Sequence, residues 1–79
     1  MKVFNALELS MFNGKGSPAY VAHMGKVYDV SDSVLWREGR HQALHEAGVD
    51  LTEALSQAPH GDELLKGFPV VGIYNTLIK

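Results

Sequence analysis

Three histidines stand where imidazole nitrogen can bind a metal. Ala58-Pro59-His60-Gly61 puts His60 at an enforced helix break, with Leu64, Leu65 and Phe68 close behind it. Pro59 disfavours helical backbone at Ala58, so the chain must turn there. His41 and His45 lie upstream, four residues apart. They share one helix face if that stretch is helical. Neutral imidazole is the commonest metal ligand among side chains. Ordinary roles compete with this one. His60 can cap a helix beside Gly61, and His41 and His45 can line a solvated face. His23, in a run of strand formers, reads as a surface or satisfied core residue.

The rest of the composition narrows the chemistry. The chain has 79 residues and no cysteine. Disulfides, thiolate zinc sites, iron–sulfur clusters and covalent Cys-x-x-Cys-His attachment are therefore excluded. A domain this size buries only about 60% of its unfolded surface, and chains below roughly 70–80 residues commonly rely on a staple such as a metal or cofactor. Histidine is the residue left to hold one. The net charge of −2 comes without a basic stripe, which argues against nucleic-acid binding. No run of about 18 apolar residues exists to span a membrane. The first residues, Met1-Lys2-Val3-Phe4-Asn5, lack a signal-peptide core. The expectation is a soluble, cytoplasmic protein forming one domain over residues 1–79.

The elements that must position the histidines are short. Lys2-Val3-Phe4 reads as an edge strand. Asn5 then caps a helix with Glu8 three residues on, a capping-box spacing, and Leu7, Met11 and Phe12 give that helix its apolar face. Residues 13–18 are a loop on composition. Residues 19–23 and 26–30 form a hairpin about Met24-Gly25. Residues 41–47 read as a short helix closed by Gly48. Asp50 caps a second helix, whose inner face carries Leu51, Leu55 and Ala58. Residues 62–66 make a third helical turn ended by Gly67. Residues 70–78 close as a strand, in which Gly72 signals a bulge or a close backbone approach. The sum is a small α+β domain, with a few strands as a base and short helix pairs above.

Two helix pairs, each offering an imidazole inward, would enclose a slot. Leu35, Trp36, Leu44, Leu51, Leu55, Leu64, Leu65, Phe68 and Val71 would line it. A flat apolar macrocycle with a central iron suits such a slot, and two imidazoles saturate that iron. Zinc held by three histidines is an alternative, though no acidic fourth ligand stands at a telling spacing. Plain core packing accounts for the same apolar residues. Asp50 and Glu53 read as caps rather than acid–base catalysts, and no serine sits in a nucleophile motif. Gly14 and Gly16 lack the strand-to-helix context of a phosphate loop.

Four segments now fall in a familiar order. Gly25-Lys26-Val27-Tyr28-Asp29-Val30 resembles the hairpin signature of the cytochrome b5-like haem-binding fold. Ala47-Gly48-Val49-Asp50-Leu51-Thr52-Glu53 resembles that family's Ala-Gly-x-Asp-x-Thr segment. Pro59-His60-Gly61 falls where the family carries its second axial histidine, and Phe68-Pro69-Val70-Val71-Gly72 is similar to its closing strand. The resemblance spans residues 3–74. It implies a cytochrome b5-like α+β fold, in which a small mixed sheet and short helix pairs form a haem slot. It also implies a non-covalent b-type haem with two histidine ligands, acting as a one-electron carrier and not as an enzyme, with a redox partner protein.

His60 carries over onto the second ligand position. The family's His-Pro-Gly-Gly motif, which holds the first, is missing. Its place falls near Trp36, where no histidine stands. His41 is taken as first ligand, with His45 as the alternative. The departure resembles a bacterial haem/steroid-binding branch of the superfamily, whose Gly-x-His-x-x-x-His stretch matches residues 39–45. The progesterone-receptor-like branch, with tyrosine ligation, is a rival, since Tyr20, Tyr28 and Tyr74 are present. No tyrosine, however, lies between Leu35 and Phe68. A non-redox module for a steroid-like ligand in the same pocket is the competing function.

Overall fold

The structure, a computed structural model, describes residues 2–32, 40–41, 45–56 and 65–75, with backbone alone at 40–41 and 45–46. Strict alternation in the central hairpin sorts its side chains onto two faces, as the period of a strand requires. In β2 (Tyr20–His23) and β3 (Lys26–Asp29), Val21 pairs with Tyr28 and Ala22 with Val27. Val21 and Tyr28 face one apolar cluster, and Ala22 and Val27 face another. The turn between them is Met24-Gly25, as the sequence suggests. Both residues take positive φ, 52° and 80°, the pattern of a two-residue hairpin turn that matches the twist of its strands.

The remaining strands complete one mixed sheet. Beyond the two-stranded ribbon of β4 (Arg40–His41) and β5 (His45–Glu46), the chain ends its described part in β6 (Val70–Tyr74). The sheet order is β1-β6-β3-β2, where β1 (Lys2–Phe4) is an edge strand parallel to β6. β6 runs antiparallel to β3 with a register shift opposite Val27 and Tyr28. Gly72 carries both expected features. It lies beside that bulge, and a Cβ there would stand 2.5 Å from the Lys2 carbonyl oxygen and from a ring carbon of Phe4.

The first cluster holds Ala19, Val21, Val30, Ala47, Leu51, Leu55 and Leu65, flanked by Tyr28 and Phe68. The second holds Phe4, Leu9, Ala22 and Val27, flanked by Phe12, Tyr20, Val71 and Tyr74. Phe12 stacks on Tyr20 at 4.5 Å between ring centroids, and Phe4 meets both rings edge-on. Each fully buried Leu or Val contributes roughly 1.5–3 kcal/mol.

The first helix, α1 (Ala6–Ser10), begins in the expected capping box: Asn5 Oδ1 accepts the Glu8 N–H at 2.8 Å, and Glu8 reaches back to the Asn5 N–H. Its apolar face differs from the expected one. Leu7 and Met11 are 70% and 65% exposed, while Leu9 is fully buried and Phe12 half-buried. The helix has only five residues. Its orientation therefore follows from the cap and from the stacking of Phe12 on Tyr20, which together turn Leu9 to the sheet. The expected helix over 41–47 is also absent, because β4 and β5 pair antiparallel with Arg40 opposite Glu46 and His41 opposite His45. An isolated seven-residue helix is marginal, and extended backbone here leads directly into the next extended segment, described below.

Replacing Gly72 by valine forces a side chain into the Lys2 and Phe4 atoms. It should lower stability by about 1–3 kcal/mol, read as a shift in the urea midpoint, whereas the same change at exposed Ile73 should be close to neutral.

Candidate functional site

Residues 47–51 lie along the outer edge of β2. Gly48 N–H donates to the Tyr20 carbonyl at 2.7 Å, Ala22 N–H to the Val49 carbonyl at 3.1 Å, and Leu51 N–H to the Ala22 carbonyl at 2.8 Å. Gly48 makes this possible. Its φ is 88°, and a Cβ there would press within 3.3 Å of the Ser10 carbonyl oxygen. The glycine expected to end a helix thus allows the chain to turn against α1. Ala47 enters the first cluster on the way in, and Leu51 on the way out.

Asp50 then acts as the expected cap. Its Oδ1 accepts the Thr52 N–H at 3.0 Å and the Thr52 hydroxyl at 2.6 Å. Thr52 opens α2 (Thr52–Ser56). Its Oγ1 in turn accepts the Met24 N–H at 2.8 Å. One hydroxyl thus ties the hairpin tip to the start of α2. Leu51 and Leu55 are one helical turn apart, joined by Leu55 N–H to the Leu51 carbonyl at 2.8 Å, and both are buried.

After residue 64 the chain returns through a turn in which Phe68 N–H donates to the Leu65 carbonyl at 3.2 Å. Leu65 is buried in the first cluster and Phe68 packs beside it. Asp29 N–H donates to the Pro69 carbonyl at 3.0 Å, which fixes this turn to β3.

Of the residues expected to line a slot, Leu51, Leu55, Leu65 and Phe68 come together on one face of the sheet. Val71 packs against the opposite cluster. Leu35, Trp36, Leu44, His60 and Leu64 lie outside the described residues, as do the side chains of His41 and His45. Among the tyrosines, Tyr28 flanks the first cluster, whereas Tyr20 and Tyr74 belong to the second. His23 is buried in β2. Among the described residues no group of three or more His, Cys, Asp or Glu side chains gathers as a metal site.

Beside the first cluster is a cavity of about 820 Å³, whose lining includes Tyr28, Leu65 and Phe68 together with Met24, Thr52 and Ser56. Sequence reading missed it, along with the Thr52 latch. The Met24-Gly25 turn was a visible signal, but nothing local marks Thr52 as its partner 28 residues away.

A family model described as the cytochrome b5-like haem/steroid binding domain matches residues 5–75. The chain belongs to this family. The cytochrome b5 domain protein of Hadesarchaea is 58% identical in sequence, with a TM-score of 0.88 over 95% of this chain and 100% of that one. The cytochrome b5 domain protein of Methanococcoides burtonii is 50% identical, with a TM-score of 0.89 over 95% of this chain and 99% of that one. No curated protein matches significantly. The cytochrome b5-like domain is thus a small α+β fold with a four-stranded mixed sheet and short helices. Among its described residues no helix is long and apolar enough to cross a membrane.

Replacing Thr52 by valine keeps its shape but removes the acceptor for Met24 N–H and the donor to Asp50. Stability should fall by about 1 kcal/mol, the usual worth of such a bond, with faster amide exchange at Met24. Serine at the same position should retain most of both.

Proposed function

We propose that this cytochrome b5-like domain binds a non-covalent b-type haem between His41 and His60 and carries single electrons. One observation carries the reading: the chain beside each candidate ligand runs into the same apolar cluster. His45 is followed within two residues by Ala47, and His60 is bracketed by Leu55 and Leu65; all three leucine and alanine side chains are buried together. The donor set fits the group as well. With no cysteine in the chain, imidazole is the natural strong-field ligand.

Bound haem supplies an iron that alternates between ferric and ferrous forms. The residues supply the rest. His41 and His60, as neutral imidazoles, would hold the iron, and two such ligands would favour electron carriage over oxygen or substrate chemistry. Leu51, Leu55, Leu65 and Phe68 exclude water, which tunes the potential. His41 and His45 stand opposite each other in the β4–β5 register, so one ribbon carries both candidates for the first ligand. Missing the His-Pro-Gly-Gly motif, the chain groups with the branch of the family that resembles it over residues 39–45. Glu53 is exposed on α2; with Glu38, Glu46, Asp62 and Glu63, which lie outside the described side chains, it would offer negative charge to a basic redox partner, an effect that acts mainly on association rate.

The family description also covers steroids, so a non-redox module holding a steroid-like or other apolar ligand in the same pocket is the second reading. A haemin titration separates the two.

The purified protein titrated with haemin should give a six-coordinate low-spin spectrum whose bands sharpen on dithionite reduction. His60→Ala should convert it to a high-spin form and weaken haem retention about tenfold or more, equivalent to about 1.4 kcal/mol. His41→Ala should do the same while His45→Ala stays low-spin. The reverse pattern assigns the first ligand to His45, and an unchanged spectrum in a His41→Ala/His45→Ala double variant removes the bis-histidine reading. Haem at a hundredfold excess over its Kd should raise unfolding stability by about 2.7 kcal/mol, visible as a higher Tm.

A further inference from the structure

We infer that the cavity between the hairpin tip, α2 and the turn at residues 65–68 binds a small organic anion with an apolar, ring-bearing body. At about 820 Å³ it falls within the range of small-molecule sites. The inference does not depend on which residues ligate iron, although Leu65 and Phe68 belong both to this floor and to the wall proposed for haem.

The lining has two chemistries. Tyr28, Leu65 and Phe68 form an apolar floor continuous with the first cluster. Lys26 and Lys66 stand at the exposed rim. Among the described residues no carboxylate lines the cavity and neither lysine has one within ion-pair distance, the Lys2–Glu8 pair being the one such contact. Two ammonium groups over an apolar floor, with no carboxylate beside them among the described residues, are notable in a chain of net charge −2. The hydroxyls on the remaining side are already engaged. Thr52 donates to Asp50, and Ser56 donates to the Glu53 carbonyl at 2.7 Å. Buried His23 and the hydroxyl-bearing Tyr28 also line the cavity, but the two ammonium groups are its fixed cations, and what they select is negative charge.

The mouth carries a second mark. Met24 holds a left-handed backbone, φ 52°, at a turn position that favours glycine or asparagine, and its side chain is 70% exposed. Such conformations persist where the surroundings enforce them, and they cluster at ligand clamps. Here the Thr52 hydroxyl enforces it through the Met24 N–H. The result is a flexible, polarisable thioether fixed beside the cavity, suited to cover rings of varied outline.

The test uses ¹⁵N-labelled full-length protein titrated with 2-naphthoate, with and without one equivalent of haemin. Naphthoate should shift the Gly25, Thr52 and Gly67 amides saturably in both forms. The neutral analogue 2-naphthalenemethanol should bind at least fivefold more weakly. A Lys26→Gln/Lys66→Gln double variant, with surface charges that should not affect folding, should lose a similar factor, and 0.5 M NaCl should remove most of the difference between the two probes. Three results would each overturn the inference: no shift at those amides, equal binding of acid and alcohol, or unaltered binding by the double variant. Loss of naphthoate shifts on adding haemin would also overturn it, by showing the cavity to be part of the haem site.

Discussion

The backbone bonds between residues 48–51 and the outer edge of β2 are the constraint on which the candidate site rests. An open strand edge exposes donors and acceptors that must be covered or paired. Here Gly48, Val49 and Leu51 cover it with three hydrogen bonds from an extended segment. That attachment sets where α2 starts, which face of it carries Leu55, and how the β4–β5 ribbon approaches the sheet. The Ala-Gly-x-Asp-x-Thr run has a physical reading at each place. Ala47 is small enough to be buried, Gly48 alone tolerates the left-handed turn against α1, Asp50 caps, and Thr52 fastens the hairpin tip.

The sheet keeps two apolar layers apart. One is a tight aromatic group of Phe4, Phe12 and Tyr20 closed by the first and last strands. The other is aliphatic, built from Val21, Val30, Leu51, Leu55 and Leu65. Aromatic packing with fixed ring geometry suits a permanent core. The aliphatic layer is the one the proposed function assigns to the haem, where shape must accommodate a guest. The division of labour explains why Val71, apolar and close in sequence to Phe68, does not share its surroundings. Val71 is the extra residue of the β6 bulge, between Val70 opposite Tyr28 and Gly72 opposite Val27, and it packs with the second cluster.

Much of the fold was legible in the residues. The capping box at Asn5 and Glu8, the hairpin about Met24-Gly25, the cap at Asp50 and the close approach at Gly72 are local signals, and each appears in the structure. What failed was periodicity in segments too short to carry it. Leu7 and Met11 satisfied a helical spacing, yet a five-residue helix has no settled face of its own and took its orientation from Phe12 and Leu9. His41 and His45 satisfied the same spacing, but pairing across a ribbon and the pull of the β2 edge outweighed weak helical propensity. For the site, four of the expected wall residues gather as the pattern implied, because apolar side chains on α2 and the turn after it have one face to bury. The Thr52 latch and the lysine-rimmed cavity were not legible. Both depend on groups far apart in sequence that meet only after residues 48–51 dock on the hairpin.

The strand order has a consequence for biosynthesis. β6, the last element of the described chain, lies between β1 and β3 rather than at a border. The earliest strand therefore has no partner until residues 70–74 have left the ribosome, and the middle of the sheet is the final piece to arrive. Such long-range closure makes for slow assembly. A nascent chain stalled before that point would display the flank of β3 as an open template, so the interval before β6 pairs is when the sheet is most exposed to mispairing.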